Sequence, residues 1–108
     1  MQSFEEIAET VLNNLLDVLE AKDSDHDLDI DLLNGVLTIG LLNGQEYVIN
    51  RHVPTQQIWV SSPLSGATHF DLQGEVFSTN SNELHALLYR ELAQLTSIRF
   101  NTESEGMT

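Results

Sequence analysis

The chain has 108 residues, the size of one compact domain and too little for two. Hydrophobic residues make up 41% of it, enough for a packed core that needs no staple. Seventeen Asp and Glu stand against four Lys and Arg, a formal net charge of -13. Nucleic acid and anionic membranes are therefore not expected as partners, whereas cations and basic protein surfaces are.

Cysteine is absent, which excludes disulfides, a thiol nucleophile, thiolate metal ligands and a protein-held iron–sulfur cluster. No apolar run approaches the ~20 residues that span a bilayer. The segment Met1 to Glu6 is acidic and free of Arg, unlike a secretory or transit peptide, so a cytoplasmic location is expected. The acids are unevenly placed. Residues 1–31 hold Glu5, Glu6, Glu9, Asp17, Glu20, Asp23, Asp25, Asp27, Asp29 and Asp31 against the single base Lys22.

Residues 4–21 read as an amphipathic helix. Phe4, Ile7, Ala8, Val11, Leu12, Leu15, Val18 and Leu19 recur at spacings of three and four and make one apolar stripe. The acids fall on the other side, together with Leu16. Ser3 and Glu6 have the spacing of a capping box. Residues 28–33 switch to period two, with Leu28, Ile30 and Leu32 alternating with acids, which predicts a half-buried strand.

Asn34-Gly35 is a strong hairpin signal, because both turn positions need positive φ. Val36 to Leu42 follows as a strand, and Asn43-Gly44 as a second turn of the same kind. Further strands are predicted over Gln45 to Arg51, Gln57 to Ser61, Thr68 to Leu72 and Glu75 to Phe77, the last two joined at Gln73-Gly74. Asn80, with Glu83 three residues on, is expected to cap a second helix whose apolar stripe is Leu84, Leu87, Leu88, Leu92 and Leu95. Two helices with one stripe each cover one face of a sheet. The predicted fold is α+β: a two-layer α-β sandwich, with N- and C-terminal helices packed on one face of an antiparallel β-sheet and the other face open. Residues 1–100 are expected to form a single domain and residues 101–108 a flexible tail.

Two constellations could carry chemistry. The first is the acidic ridge that runs from the helix into Asp23-x-Asp25-x-Asp27-x-Asp29-x-Asp31. Carboxylate oxygens suit hard cations, ferrous or ferric iron among them. The run opens like an EF-hand loop, but Leu28 replaces the required Gly and Asn34 the closing Glu. An open, weak and unselective array is the metal reading. A solvated charged face that guards an edge strand is the competing one. The second constellation is Trp59. Ile58 and Val60 belong under the helices, so alternation puts Trp59 on the open face with Gln57 and Ser61. It is there either as a docking anchor or as a cross-strand or loop-covered packing residue.

Four His show no ligand spacing, and Ser61, Ser62 and Ser65 lack the nucleophile elbow that would make a triad with His69 and Asp71. No phosphate loop or dinucleotide fingerprint appears.

The block Asn50-Arg51-x-x-Pro54-x-x-Gln57-Ile58-Trp59-Val60-Ser61-Ser62-Pro63-x-Ser65-Gly66 resembles the frataxin family. So do Gly35-Val36-Leu37-Thr38-Ile39 and His69-Phe70-Asp71, and the chain resembles in particular the bacterial, CyaY-like branch, which implies a bacterial cytoplasmic location, although the Ser61-Ser62-Pro63-x-Ser65-Gly66 run is closer to mitochondrial members. It extends over about residues 4–100. The resemblance implies a frataxin-like domain that binds iron weakly and holds no organic cofactor. It implies a non-enzymatic accessory of iron–sulfur cluster assembly, an iron donor or a regulator of the cysteine desulfurase and its scaffold protein. Such a protein is expected as a monomer, with iron-driven oligomers. Carried over by position, the metal-binding residues are Glu6, Glu9, Asp17, Glu20, Asp23, Asp25, Asp27, Asp29 and Asp31. The partner-binding residues are Asn50, Gln57 and Trp59. Eukaryotic members have a basic residue where His69 stands and Lys where Gln56 stands. The alternative reading is an acidic interaction module that masks a basic partner surface, with metal binding incidental.

Overall fold

The computed structural model describes residues 3–73, 76–79 and 83–100. Helix α1 spans Phe4–Lys22. Its start is the expected capping box: Ser3 Oγ accepts the Glu6 N–H at 3.2 Å, and Glu6 Oε1 accepts the Ser3 N–H at 3.0 Å. Phe4, Ile7, Ala8, Leu12, Leu15 and Leu19 are buried, so the apolar stripe does what its spacing requires. Leu16 is half-buried and packs at the margin of the core.

Six antiparallel strands follow in simple meander order: β1 Asp29–Leu33, β2 Val36–Gly40, β3 Glu46–His52, β4 Gln57–Ser62, β5 Gly66–Gln73 and β6 Val76–Ser78. Helix α2, Leu84–Leu95, closes the order. The two helices lie on one face of the sheet, as expected. Leu37, Ile39, Tyr47, Ile49, Ile58, Val60, Phe70 and Phe77 form the sheet side of the core. The open face carries their alternates, among them Thr38, Val48, Asn50, Trp59 and His69.

The first hairpin is the expected two-residue turn. Leu33 pairs with Val36, and Asn34 and Gly35 take φ of 52° and 78°. Gly35 is favoured by its positive φ; a Cβ there would meet only the end of the Arg51 side chain, at 2.8 Å from Nε, which is free to shift aside. The second hairpin differs from expectation. Strand β2 ends at Gly40, and only Gly44 in this turn has positive φ, at 89°. Leu41 N–H donates to Gln45 O at 2.8 Å and Gly44 N–H to Leu41 O at 3.0 Å. Three residues therefore lie within the loop, with glycine in the left-handed position, and Leu42 is 80% exposed at the tip.

Strand β1 begins at Asp29, not Leu28, because Asp23 organises the residues before it. The start of α2 also differs. Glu83 sits at its N-cap, held extended by a bridge to Ser78, so the helix cannot begin earlier. Asn80, Gly74, Glu75 and the tail 101–108 lie outside the described residues. After α2, Thr96 Oγ1 donates to Leu92 O at 2.7 Å. Ile98 is buried, and Phe100 stacks on Tyr89 with ring centroids 4.9 Å apart.

Candidate functional site: an acidic edge and an open sheet face

The expected ridge residues divide by element. Glu6, Glu9, Asp17 and Glu20 are exposed on α1. Asp25 and Asp27 lie in the loop after the helix, and Asp29 and Asp31 project from β1 onto the open sheet face. Glu6 has one oxygen engaged in the capping box. That hydrogen bond from the Ser3 backbone N–H, and the bond between the two side chains, hold its carboxyl below the usual carboxylate range.

Asp23 is different in kind. It is 4% exposed, and its two oxygens accept the N–H groups of Asp27 at 2.8 Å and Leu28 at 2.9 Å. Its own N–H closes α1 on Leu19 O at 3.0 Å. Asp23 ends the helix and turns the chain toward β1, a structural task that leaves it poorly placed to face a cation. Lys22 and Arg99 line the same surface hollow as Asp23, Asp25 and Asp27, so two of the chain's four Lys and Arg meet this end of the ridge. Among the described residues, no three Asp, Glu or His converge as a ready-made metal cluster. The donors are hard oxygen ligands spread along an edge and form no closed site among the described residues.

Trp59 lies on the open face, where alternation put it, and is half-buried there. The reason is a stack that spans three strands. The His52 ring lies on one face of the indole, with centroids 3.6 Å apart and planes 11° apart. The His69 ring lies 4.3 Å away, also at 11°. Strand register places His69 directly opposite Trp59, and Asn50 opposite on the other side, with His52 on the diagonal. Indole Nε1 donates to Gln57 Oε1 at 2.9 Å, and Gln57 Nε2 donates to Asp71 Oδ1 at 2.8 Å. His52 Nδ1 lies 2.8 Å from Thr55 Oγ1. Asn50, Gln57 and Trp59 are thus brought together on one face, and Gln57 fixes the orientation of the indole. Ligand spacing does not reveal that His52 and His69 share the indole, because strand register sets that pairing. The β5 alternation through Thr68 to Leu72 was the signal that could have found His69.

Ser62 points to the other side of the sheet. Its hydroxyl donates to Glu91 Oε1 at 2.6 Å and accepts the N–H groups of Leu64 and Ser65. Ser62 and His69 therefore face opposite layers and form no catalytic pair. Glu91 also accepts from Tyr47 Oη at 2.8 Å. Burial, and then this bond to a carboxylate, push the Tyr47 phenol well above its ordinary value. Among the described residues, no helix is long and apolar enough to cross a membrane.

The acidic helix–strand edge and the open, hydrogen-bonded sheet face belong to one two-layer α-β sandwich. The profile of the Frataxin-like domain matches residues 1–98, and the chain belongs to the frataxin family. It is 37% identical over 102 residues to the mitochondrial frataxin homolog of Saccharomyces cerevisiae, covering 90% of this chain and 59% of that protein. It is 35% identical over 101 residues to mitochondrial frataxin of Arabidopsis thaliana, covering 87% of this chain and 54% of that protein. The chain thus spans little more than half the length of these relatives. Among solved structures, frataxin from Psychromonas ingrahamii has the same fold, with a TM-score of 0.78 at 20% identity over 89% of this chain and 90% of that one. Trimeric yeast frataxin complexed with ferrous iron matches with a TM-score of 0.72 at 34% identity, over 90% of this chain and 91% of that one.

Proposed function

We propose that this protein is a non-enzymatic, iron-binding accessory of iron–sulfur cluster assembly. In this reading it donates iron to, or regulates, a cysteine desulfurase–scaffold complex. The observation that carries the reading is the segregation of exposed carboxylates on α1, the following loop and β1, in a family with a member complexed with ferrous iron. Hard oxygen donors without a converging cluster bind iron weakly, with water filling the remaining coordination positions. Weak binding suits a protein that must hand the ion on.

The open face with Asn50, Gln57 and Trp59 is the docking half of the same reading. A protein of net charge -13 is steered toward a basic partner surface. Without iron the protein is a monomer in this proposal. Ions that bridge carboxylates of two copies would drive oligomers, and the yeast relative is trimeric.

The test is an iron titration followed by NMR in physiological salt. Amides of residues 17–31 should broaden, and those around Trp59 should be left sharp. Broadening centred on the four His would overturn the carboxylate assignment.

The alternative is an acidic module that masks a basic partner, with metal binding incidental. The net charge of -13, with its acids gathered on an exposed edge, favours it. It requires partner binding that falls steeply with salt whatever the metal, whereas the iron reading requires saturable, carboxylate-dependent metal binding.

A further inference from the structure

The stack of His52, Trp59 and His69 lies on the face assigned above to docking. Both imidazoles lie flat on the indole. Histidine is the side chain whose charge changes near neutral pH, and an imidazolium on an indole face is held by cation–π attraction. Protonation therefore leaves the stack assembled while changing the charge it presents.

The surroundings make that change felt. Facing His52 are Thr55 from the turn and the uncharged Gln57 and Trp59 of β4. Facing His69 are Trp59 of β4 and Asp71, two residues along β5, and Asp71 Oδ1 is already engaged by Gln57. Strand β6 adds the uncharged Ser78 and Val76 beside Asp71 and Gln73. Arg51 faces the helix layer, since it pairs with the core residue Ile58. Glu46 stands at the far end of β3, roughly 20 Å along the strand from His52. Asp29 and Asp31 stand on β1, about 14 Å from β4. Among the described residues the face around Trp59 carries one carboxylate, Asp71, and two imidazoles can outweigh it.

We infer that the His52–Trp59–His69 stack is a proton-controlled element of the docking face. With neutral imidazoles the face accepts a basic partner surface. With imidazolium ions it presents like charge and releases that partner. The inference rests on the docking reading above and adds its regulation by pH.

Two measurements test it. Trp59 is the chain's one tryptophan, so emission excited at the red edge of the indole band, where the two tyrosines do not absorb, reports the stack alone. A protonated imidazole against an excited indole quenches it, so emission should fall as pH drops from 8 to 5.5. The fall should vanish in the His52→Gln, His69→Gln double variant. Binding to the purified cysteine desulfurase–scaffold complex is then measured at pH 8 and pH 6. Wild-type affinity should weaken about tenfold more over this interval than that of the double variant, the scale of two like charges at an interface rim. The variant carries the titration of the partner itself and so corrects for it.

Wild type and variant binding with the same pH profile would overturn the inference while leaving the docking reading intact. Wild type failing to bind at either pH would overturn the docking reading. In that case an emission that does not titrate would remove the charge change in the stack as well.

Discussion

Tyr47 Oη donates a hydrogen bond to Glu91 Oε1 at 2.8 Å, joining the middle of the sheet to α2 across 44 positions of sequence. Ser62 Oγ donates to the same oxygen at 2.6 Å. Glu91 is 5% exposed and Tyr47 fully buried, so the carboxylate has left water and is stabilised by two hydroxyls. Ser62 in turn holds the N–H groups of Leu64 and Ser65, which ties the β4–β5 loop to both layers.

Glu91→Ala should accordingly be one of the more damaging single changes. It strands two buried hydroxyls at about 1–3 kcal/mol each. Tyr47→Phe removes one donor and should cost about 1.5–3 kcal/mol, the range for hydrogen bonds to charged groups. Urea melts of both variants are the check. A Glu91→Ala midpoint equal to wild type would show that the network is not stabilising.

The same pair sets a limit at high pH. The Tyr47 phenol is raised in the folded protein, so below pH 10 it is protonated in both states and its contribution is complete. Above pH 10 the unfolded chain ionises first and stability falls as pH rises. Tyr47→Phe should flatten that part of the stability profile. The acid side behaves in the opposite sense at Glu6, whose carboxyl is lowered by its bonds to Ser3. Its contribution is present above the ordinary carboxylate range and is lost as pH falls through the folded value. Glu6→Gln, which removes the titrating carboxyl, should remove that dependence, read as unfolding free energy between pH 6 and pH 2.

The acidic edge should separate into two kinds of residue. Asp27→Asn with Asp29→Asn should leave the melting temperature at low salt unchanged or raise it, because like charges repel by about 0.2–0.5 kcal/mol per helix pair and comparably at close spacing elsewhere. Asp23→Ala should lower it. Asp23 accepts two backbone N–H groups while buried, and bonds to a charged acceptor contribute about 1.5–3 kcal/mol each. Thermal melts of the two variants side by side decide the matter. If both fell equally, the whole edge would be structural.

Trp59 and Ile58 should part in the same manner. Ile58 is fully buried, and Ile58→Ala should cost about 2–5 kcal/mol. Trp59 is half-buried between two imidazoles, and ring pairs of this kind contribute about 0.5–1.5 kcal/mol beyond area burial. Trp59→Ala should thus remain cooperatively folded, yet lose about 2 kcal/mol or more of binding to the desulfurase–scaffold complex, as a docking anchor does. A denaturant melt and a binding isotherm on each variant test both halves.

Much of the architecture was legible because its causes are local. The stripe from Phe4 to Leu19, the Ser3–Glu6 capping box, the Asn34-Gly35 turn and the alternation around Trp59 each depend on residues a few positions apart. Those periodicities choose helix or strand and choose which face is buried, so they imply two helices on one side of a meander. The start of α2 was not legible, because Glu83 is held by its bridge to Ser78 and not by a cap of its own. The roles of individual polar residues required the tertiary structure. In sequence Glu91 is an acid beside an apolar stripe, and Asp23 is one of ten acids within residues 1–31. The first is buried because Tyr47 and Ser62 meet it from distant strands, the second because the backbone folds back onto its oxygens. His52 and His69 stand 17 positions apart in the chain and share one indole only because register aligns three strands. A hydrogen bond or ring stack between distant segments leaves no periodic trace, since its energy depends on where the other segment lies.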